Sequence, residues 1–317
     1  VPEGDTVLRT ARRLDAALSG RPLLRSELRW GELGDADLAG RTVLQTVSYG
    51  KQLLTRLAAA DDRLRGGRPG GPRRPQAPPE PLTLRSHLRM EGRWAVHATG
   101  ARPWPSARQA AVRAVLEGSE WTAVGTWLGL LDLIPTDQEP ALVGHLGPDI
   151  LAPDFPQTGR AEAIARLGTR PEREIGAALL DQTTVAGIGT MYMAEALFAR
   201  GISPWTPVAE VDLGAVLDTA RRQLHNGATQ AVPTTTGNNR RGMTTYAHAR
   251  SGNPCLRCGG TIRVAQIGVP PRQRPAFYCP HCQPGPTPTD DGRPQSPLGS
   301  NPATPYFRRP AGYRRDR

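Results

Sequence analysis

Cys255-Leu256-Arg257-Cys258 and Cys279-Pro280-His281-Cys282 contain all four cysteines of the chain. Two C-x2-C pairs about twenty residues apart have the spacing of a four-thiolate zinc site, each pair gripping the metal from a tight turn. The intervening 261–277 is then expected to form a hairpin. Two disulfides are the alternative reading, and they belong to oxidising compartments. His281 sits inside the second pair, but four sulfurs already close a tetrahedron, so it is expected to be a bystander.

Around this segment the 317-residue chain is strongly basic, with a formal net charge of +11 and a pI near 10.4. Such a balance points to a polyanionic partner. No stretch approaches the ~18 consecutive apolar residues of a spanning helix, and no basic amphipathic helix with an aromatic face appears. The start, Val1-Pro2-Glu3-Gly4-Asp5-Thr6, is acidic and carries no apolar run, unlike a signal peptide. Nucleic acid in the cytoplasm is therefore the expected partner, with no membrane. At this length two or three modules fit, each with its own core.

Val7, Ala11, Leu14 and Leu18 recur at helical spacing with arginines between them, predicting an N-terminal amphipathic helix capped by Asp5 or Thr6. Segments 42–49 and 52–57 read as strands flanking Gly50-Lys51, followed by 82–88 and 93–97. Further apolar, partly β-branched runs cover 109–117 and 121–133. The arginine-, glycine- and proline-rich stretch 61–81 can bury nothing and is expected to be a disordered insertion. From Glu139 the pattern becomes helical, with periodic segments at 160–167, 171–180, 191–200 and 213–224. The end, 284–317, is expected to be a disordered basic tail.

Forty residues are Lys or Arg, and Lys51 is the sole lysine. Arginine serves phosphate contacts at least as well, but only lysine supplies a compact ammonium with a tunable pKa. Codon bias with one survivor is the bland alternative. Leu179-Leu180-Asp181-Gln182-Thr183-Thr184-Val185-Ala186-Gly187-Ile188-Gly189-Thr190 joins two helical segments through a glycine-containing turn. Its backbone N–H groups, at a helix N-terminus, could dock a phosphate. A helix hairpin serving only packing is the competing reading.

Taken together, five ordered signals resemble the formamidopyrimidine-DNA glycosylase and endonuclease VIII family over residues 1 to about 283. They are Pro2-Glu3 followed by Gly4-Asp5-Thr6, the Gly50-Lys51 hairpin, Ser86-His87-Leu88-Arg89-Met90 with Gly92, the 179–190 motif, and the cysteine hairpin with Arg274 before its second pair. The initial pentapeptide is similar to the endonuclease VIII branch. The resemblance implies an α+β multidomain fold: an N-terminal β-sandwich with an N-terminal helix at 1–136, a helical domain with a helix–two-turns–helix motif at 137–247, and a zinc finger at 248–283.

It also implies a bifunctional DNA glycosylase and abasic-site lyase of base-excision repair, monomeric, acting on DNA with damaged bases or abasic sites, oxidised pyrimidines above all. Pro2 would be the nucleophile, its secondary amine attacking the sugar anomeric carbon; a helix N-terminus favours the neutral amine such an attack needs. Glu3 would shuttle protons, and Lys51 would donate a proton or hold a phosphate. Pro2 must then be the first residue, so Val1 is expected to be a GUG start codon decoded as methionine and removed.

Met90 would fill the hole left by the flipped base, an ordinary core methionine being the alternative. Gly187, Gly189 and Thr190 would bind the DNA backbone. So would Arg274, unless it serves a scaffold salt bridge. Cys255, Cys258, Cys279 and Cys282 would hold one structural zinc ion. At Thr190 the family usually has asparagine; a hydroxyl has shorter reach and one donor instead of two. That departure keeps a catalytically silent zinc-dependent DNA-binding protein open as an alternative. A purine-directed enzyme removing 8-oxoguanine is the other.

Overall fold

The computed structural model describes residues 2–61 and 80–288. Val1, most of the expected 61–81 insertion and most of the expected basic tail lie outside the described residues. The chain divides into two compact units, and they are interleaved in sequence. Unit 1 combines Val1–Arg166 with Asp181–Ile188 and Leu224–Ala231; unit 2 holds the remainder.

Unit 1 is a β-sandwich with a helix. Helix α1 (Gly4–Leu18) is followed by strands β1 (Arg25–Leu28), β2 (Val43–Tyr49), β3 (Gln52–Leu57), β4 (Leu82–His87), β5 (Arg93–Ala98), β6 (Val112–Glu117), β7 (Trp121–Thr126) and β8 (Leu130–Pro135). One antiparallel sheet runs β1-β6-β7-β5 and the other β2-β3-β4-β8. Their inner faces share one core with the apolar stripe of α1: Val7, Leu14 and Leu18 pack with Leu28, Leu53, Leu84, Trp94, Leu116 and Leu131. Burying both sheet faces and the stripe together removes each from water, the dominant favourable contribution to folding.

Two local expectations are corrected. The N-cap of α1 is Glu3, not Asp5 or Thr6, and Asp5 lies buried in the first turn. The helix begins earlier because the Gly4 N–H is already engaged by Gly187. The apolar run 121–133 supplies β7 and most of β8, which part where Trp127 takes φ +52° and Gly129 N–H donates to His87 O at 2.9 Å. The helix expected over 171–180 forms only as α4 (Ile175–Leu180), after short α2 (Glu139–Val143) and α3 (Arg160–Gly168). Strand β1, four residues long, is too short to leave a periodic signature.

In unit 2, α4 precedes α5 (Thr190–Arg200), followed by α6 (Leu213–Thr229), whose residues from Leu224 onward belong to unit 1, and by the antiparallel pair β9 (Arg263–Ile267) and β10 (Arg274–Tyr278). Ala194 and Phe198 of α5 share a small core with Cys255, Ile262, Val264, Phe277 and Cys279. Arg257, between the first two cysteines, lies 4.3 Å from the Phe198 ring centroid and donates to Phe198 O at 3.3 Å. The cysteine hairpin is thus packed against α5 by apolar and cation–π contact. No helix among the described residues is long and apolar enough to cross a membrane.

Candidate active site

Three segments distant in sequence converge in unit 1. The β2–β3 hairpin turns through Gly50 and Lys51, with Tyr49 paired to Gln52. Gly50 has φ +56°, and a Cβ there would lie 2.8 Å from Ala186 Cβ. Gly4 N–H donates to Gly187 O at 3.0 Å, and a Cβ on Gly4 would stand 3.1 Å from that oxygen. Gly187 itself has φ +107°, with Ile150 Cγ2 at 3.1 Å from a notional Cβ. The turn 182–188 therefore receives the start of α1 and the tip of the hairpin at separations that leave little or no room for a Cβ. Each meeting glycine has a chemical neighbour: Glu3, buried, precedes Gly4, and Lys51, half-buried, follows Gly50. Pro2 is half-buried.

The turn is itself held rigidly. Gln182 Nε2 donates to Ile188 O at 2.9 Å, and its Oε1 accepts Gly187 N–H at 3.1 Å. Segment 147–151 lines its other side: Gly147 N–H reaches Gln182 O (2.8 Å), Ala186 N–H reaches Pro148 O (2.9 Å) and Ile150 N–H reaches Ala186 O (3.0 Å). Tyr49 on β2 donates its hydroxyl to Gly147 O at 3.1 Å. The expected role of Gly187 changes accordingly. Its amide is consumed inside the turn, so its glycine character serves close packing instead of an amide left open to phosphate.

The β4–β5 turn carries the remaining unit 1 candidate. Met90 is 66% exposed, which removes the core-methionine alternative. His87, opposite Gln52 in the sheet, is a neighbour that sequence reading missed. Burial, then the charges of Arg89, Lys51 and Arg85, push its pKa down to about 4, so it is neutral beside the lysine at pH 7. Its Nδ1 accepts the Arg89 N–H at 2.9 Å. Gln182 was quoted within its motif, yet nothing in the sequence marked it as the brace of the turn. Only partners brought from elsewhere in the chain reveal either residue.

Thr190, Arg274 and the cysteines belong to unit 2. Thr190 opens α5 behind the N-cap Gly189, whose backbone is extended. Arg274 opens β10 exposed; its guanidinium donates to Gln273 O at 3.1 Å and forms no ion pair among the described residues. The four Sγ atoms lie within 4.8 Å of one another, with Cys255–Cys282 at 3.9 Å and Cys258–Cys279 at 3.6 Å. A tetrahedral zinc with Zn–S bonds of about 2.3 Å has S···S edges of about 3.8 Å. The cysteines are free, and these separations far exceed a disulfide bond of about 2.05 Å. His281 is exposed and outside the cluster. Burial raises the thiols of Cys279 and Cys282, whereas the Gly260 N–H lowers Cys258. Those sulfurs can hold a metal ion.

Residues 1–126 match the model of the formamidopyrimidine-DNA glycosylase N-terminal domain, and 146–236 match the formamidopyrimidine-DNA glycosylase H2TH domain. The β-sandwich and the helix–two-turns–helix motif thus define the class. Over 296 residues the chain is 43% identical to a probable endonuclease 8 2 of Streptomyces coelicolor, covering 92% of this chain and 98% of that protein. It is 34% identical to the DNA-(apurinic or apyrimidinic site) lyase Nei2 of Mycolicibacterium smegmatis, covering 89% and 99%. The chain belongs to the formamidopyrimidine-DNA glycosylase and endonuclease VIII family, on its endonuclease VIII-like branch. Its fold matches a Lactococcus lactis formamidopyrimidine-DNA glycosylase non-covalently bound to DNA containing an abasic site. The TM-score is 0.66 at 21% identity, covering 90% of this chain and all of that one.

Gly50→Ala tests the convergence. The positive φ costs roughly 1–3 kcal/mol and overpacking adds a comparable amount. The expected result is a lower denaturation midpoint together with impaired DNA processing at saturating enzyme. An unchanged midpoint in chemical denaturation would show that the hairpin tip has room to move.

Proposed function

We propose that this chain is a bifunctional DNA glycosylase and abasic-site lyase of base-excision repair, acting on oxidised pyrimidines and abasic sites. It would work as a monomer on DNA in the cytoplasm. The observation that carries this is the convergence of the Pro2-Glu3 start of α1 with the Gly50-Lys51 hairpin on the 182–188 turn.

In this reading the neutral secondary amine of Pro2 attacks C1′ of the damaged nucleotide and the base departs as the C–N bond breaks. Opening of the sugar ring, with Glu3 supplying the proton to the ring oxygen, leaves a cationic iminium between Pro2 and C1′. That cation acidifies the C2′ proton. Its removal expels the 3′ phosphate (β-elimination), and a second elimination expels the 5′ phosphate before water frees Pro2. Lys51, beside neutral His87, donates a proton or holds the phosphate of the lesion. Met90 fills the vacated stack, while Gly189, Thr190 and Arg274 hold the backbone. Cys255, Cys258, Cys279 and Cys282 would hold a structural zinc ion, which supplies no chemical step but ties the two turns of the hairpin.

The test is release of an oxidised pyrimidine from duplex DNA with nicking at the same site, set against a duplex containing 8-oxoguanine. Release of 8-oxoguanine alone would move the enzyme to the purine-directed reading. Within this test, Lys51→Arg keeps the charge but provides no usable acid (pKa above ~12). Single-turnover base release is expected to fall by about 10²-fold or more, with DNA affinity nearly unchanged. Equal rates would return the lone lysine to codon bias.

A further inference from the structure

From Thr219 to Thr289 the chain contains no Asp or Glu, yet it contains nine arginines. Nine of the eleven net positive charges therefore lie in one stretch that cannot neutralise itself. Within it, residues 234–245 form a loop braced from inside. Thr235 N–H donates to Thr244 O at 2.8 Å, and Thr234 Oγ1 donates to Thr244 O at 3.0 Å while accepting Gly237 N–H at 3.1 Å. Thr236 Oγ1 accepts Asn238 N–H at 3.1 Å and donates to Met243 O. Asn238 Oδ1 accepts Arg240 N–H at 2.9 Å, and the buried Arg250 donates to Gly242 O.

The missing carboxylate comes from outside. Glu195 on α5 is fully buried. Its Oε1 accepts the N–H groups of Ala247 (2.8 Å) and His248 (2.9 Å). Its Oε2 accepts Tyr246 N–H at 2.8 Å and the Thr235 hydroxyl. One carboxylate thus clamps both legs of the loop, and none of it is left over for the arginines. At the tip, between Gly237 (φ +78°) and Gly242 (φ +80°), Arg240 and Arg241 are exposed and form no ion pair among the described residues.

We propose that loop 234–245 is a pre-shaped phosphate grip, in which Arg240 and Arg241 bind phosphodiester oxygens of the DNA strand. The inference rests on the DNA-directed reading above. Guanidinium groups match phosphate bidentately, and a tip ordered before binding avoids most of the entropy cost of arranging them. The contact reads no base, so it acts alike on damaged and undamaged DNA.

The experiment compares the wild-type chain with Arg240→Gln/Arg241→Gln on undamaged and abasic-site duplexes across a salt series. Each lost phosphate contact removes about 0.9 from the slope of log K against log[salt]. The expected slope change is therefore about 1.8, with equal weakening on both duplexes and unchanged trapping at saturating enzyme. An unchanged slope in a variant with a wild-type circular dichroism spectrum overturns the proposal. Slope loss in a chain that forms no covalent adduct supports the grip while sinking the glycosylase reading. Adduct formation with an unchanged slope does the reverse.

Discussion

A chain whose first residue is Pro2 is expected to be trapped by borohydride on abasic-site DNA, whereas the same chain retaining Val1 is expected to give no adduct. In the first, the nitrogen is a secondary amine with an available lone pair. In the second, it is an amide nitrogen whose lone pair is delocalised into the carbonyl. Only reduction of the iminium that the amine forms makes a stable protein–DNA bond, so the adduct reports the chemistry and not the binding. Base release and nicking should fall together by roughly 10³-fold or more, the scale of losing a nucleophile outright. Binding to abasic-site DNA should persist, because Pro2 contributes one half-buried side chain to it. An intact-mass measurement assigns the N-terminus of each preparation. If the chain starting at Pro2 binds DNA but never traps, the protein is a silent binder.

Cys279→Ser is expected to release the metal and abolish specific DNA binding. Structural zinc sites contribute about 10–16 kcal/mol of apparent binding energy at neutral pH, more than a hairpin this small can replace. Cys279 is buried within the cluster that joins the hairpin to Phe198 and Ala194 of α5, so the loss reaches beyond the metal itself. Unit 1 has its own core around α1 and both sheets, and it should retain its β-rich circular dichroism. Metal analysis should find one zinc per wild-type chain and little in the variant. Wild-type protein purified without chelator and found free of zinc would sink the zinc assignment. A metal-free variant that still binds lesion DNA normally would separate the hairpin from recognition.

The endonuclease VIII-like branch expected from Pro2-Glu3-Gly4-Asp5-Thr6 is the branch of the endonuclease 8 relatives that the chain matches. Thr190 remains the visible departure, opening α5 directly behind the extended Gly189. The charge distribution sharpens this picture. Arginine dominates the whole chain, but the acid-free stretch after Asp218 concentrates the net charge in unit 2, leaving Glu195 as an internal clamp.

The sequence by itself determined what depends on neighbours in the chain. The cysteine spacing, the stripe of α1, the strands flanking Gly50-Lys51 and the glycines of the 187–189 turn are local patterns, and periodicity or pair spacing exposes them. Tertiary structure alone decided why those glycines matter. Gly50 and Gly187 hold positive φ, and at Gly4, Gly50 and Gly187 three remote backbones meet so closely that a Cβ is crowded at each. It alone showed that Gln182 braces the turn, that His87 stays neutral near Lys51, and that Glu195 gathers four donors. Each of these depends on partners far along the chain, fixed by sheet register and core packing, and no local period encodes which distant residue will arrive there.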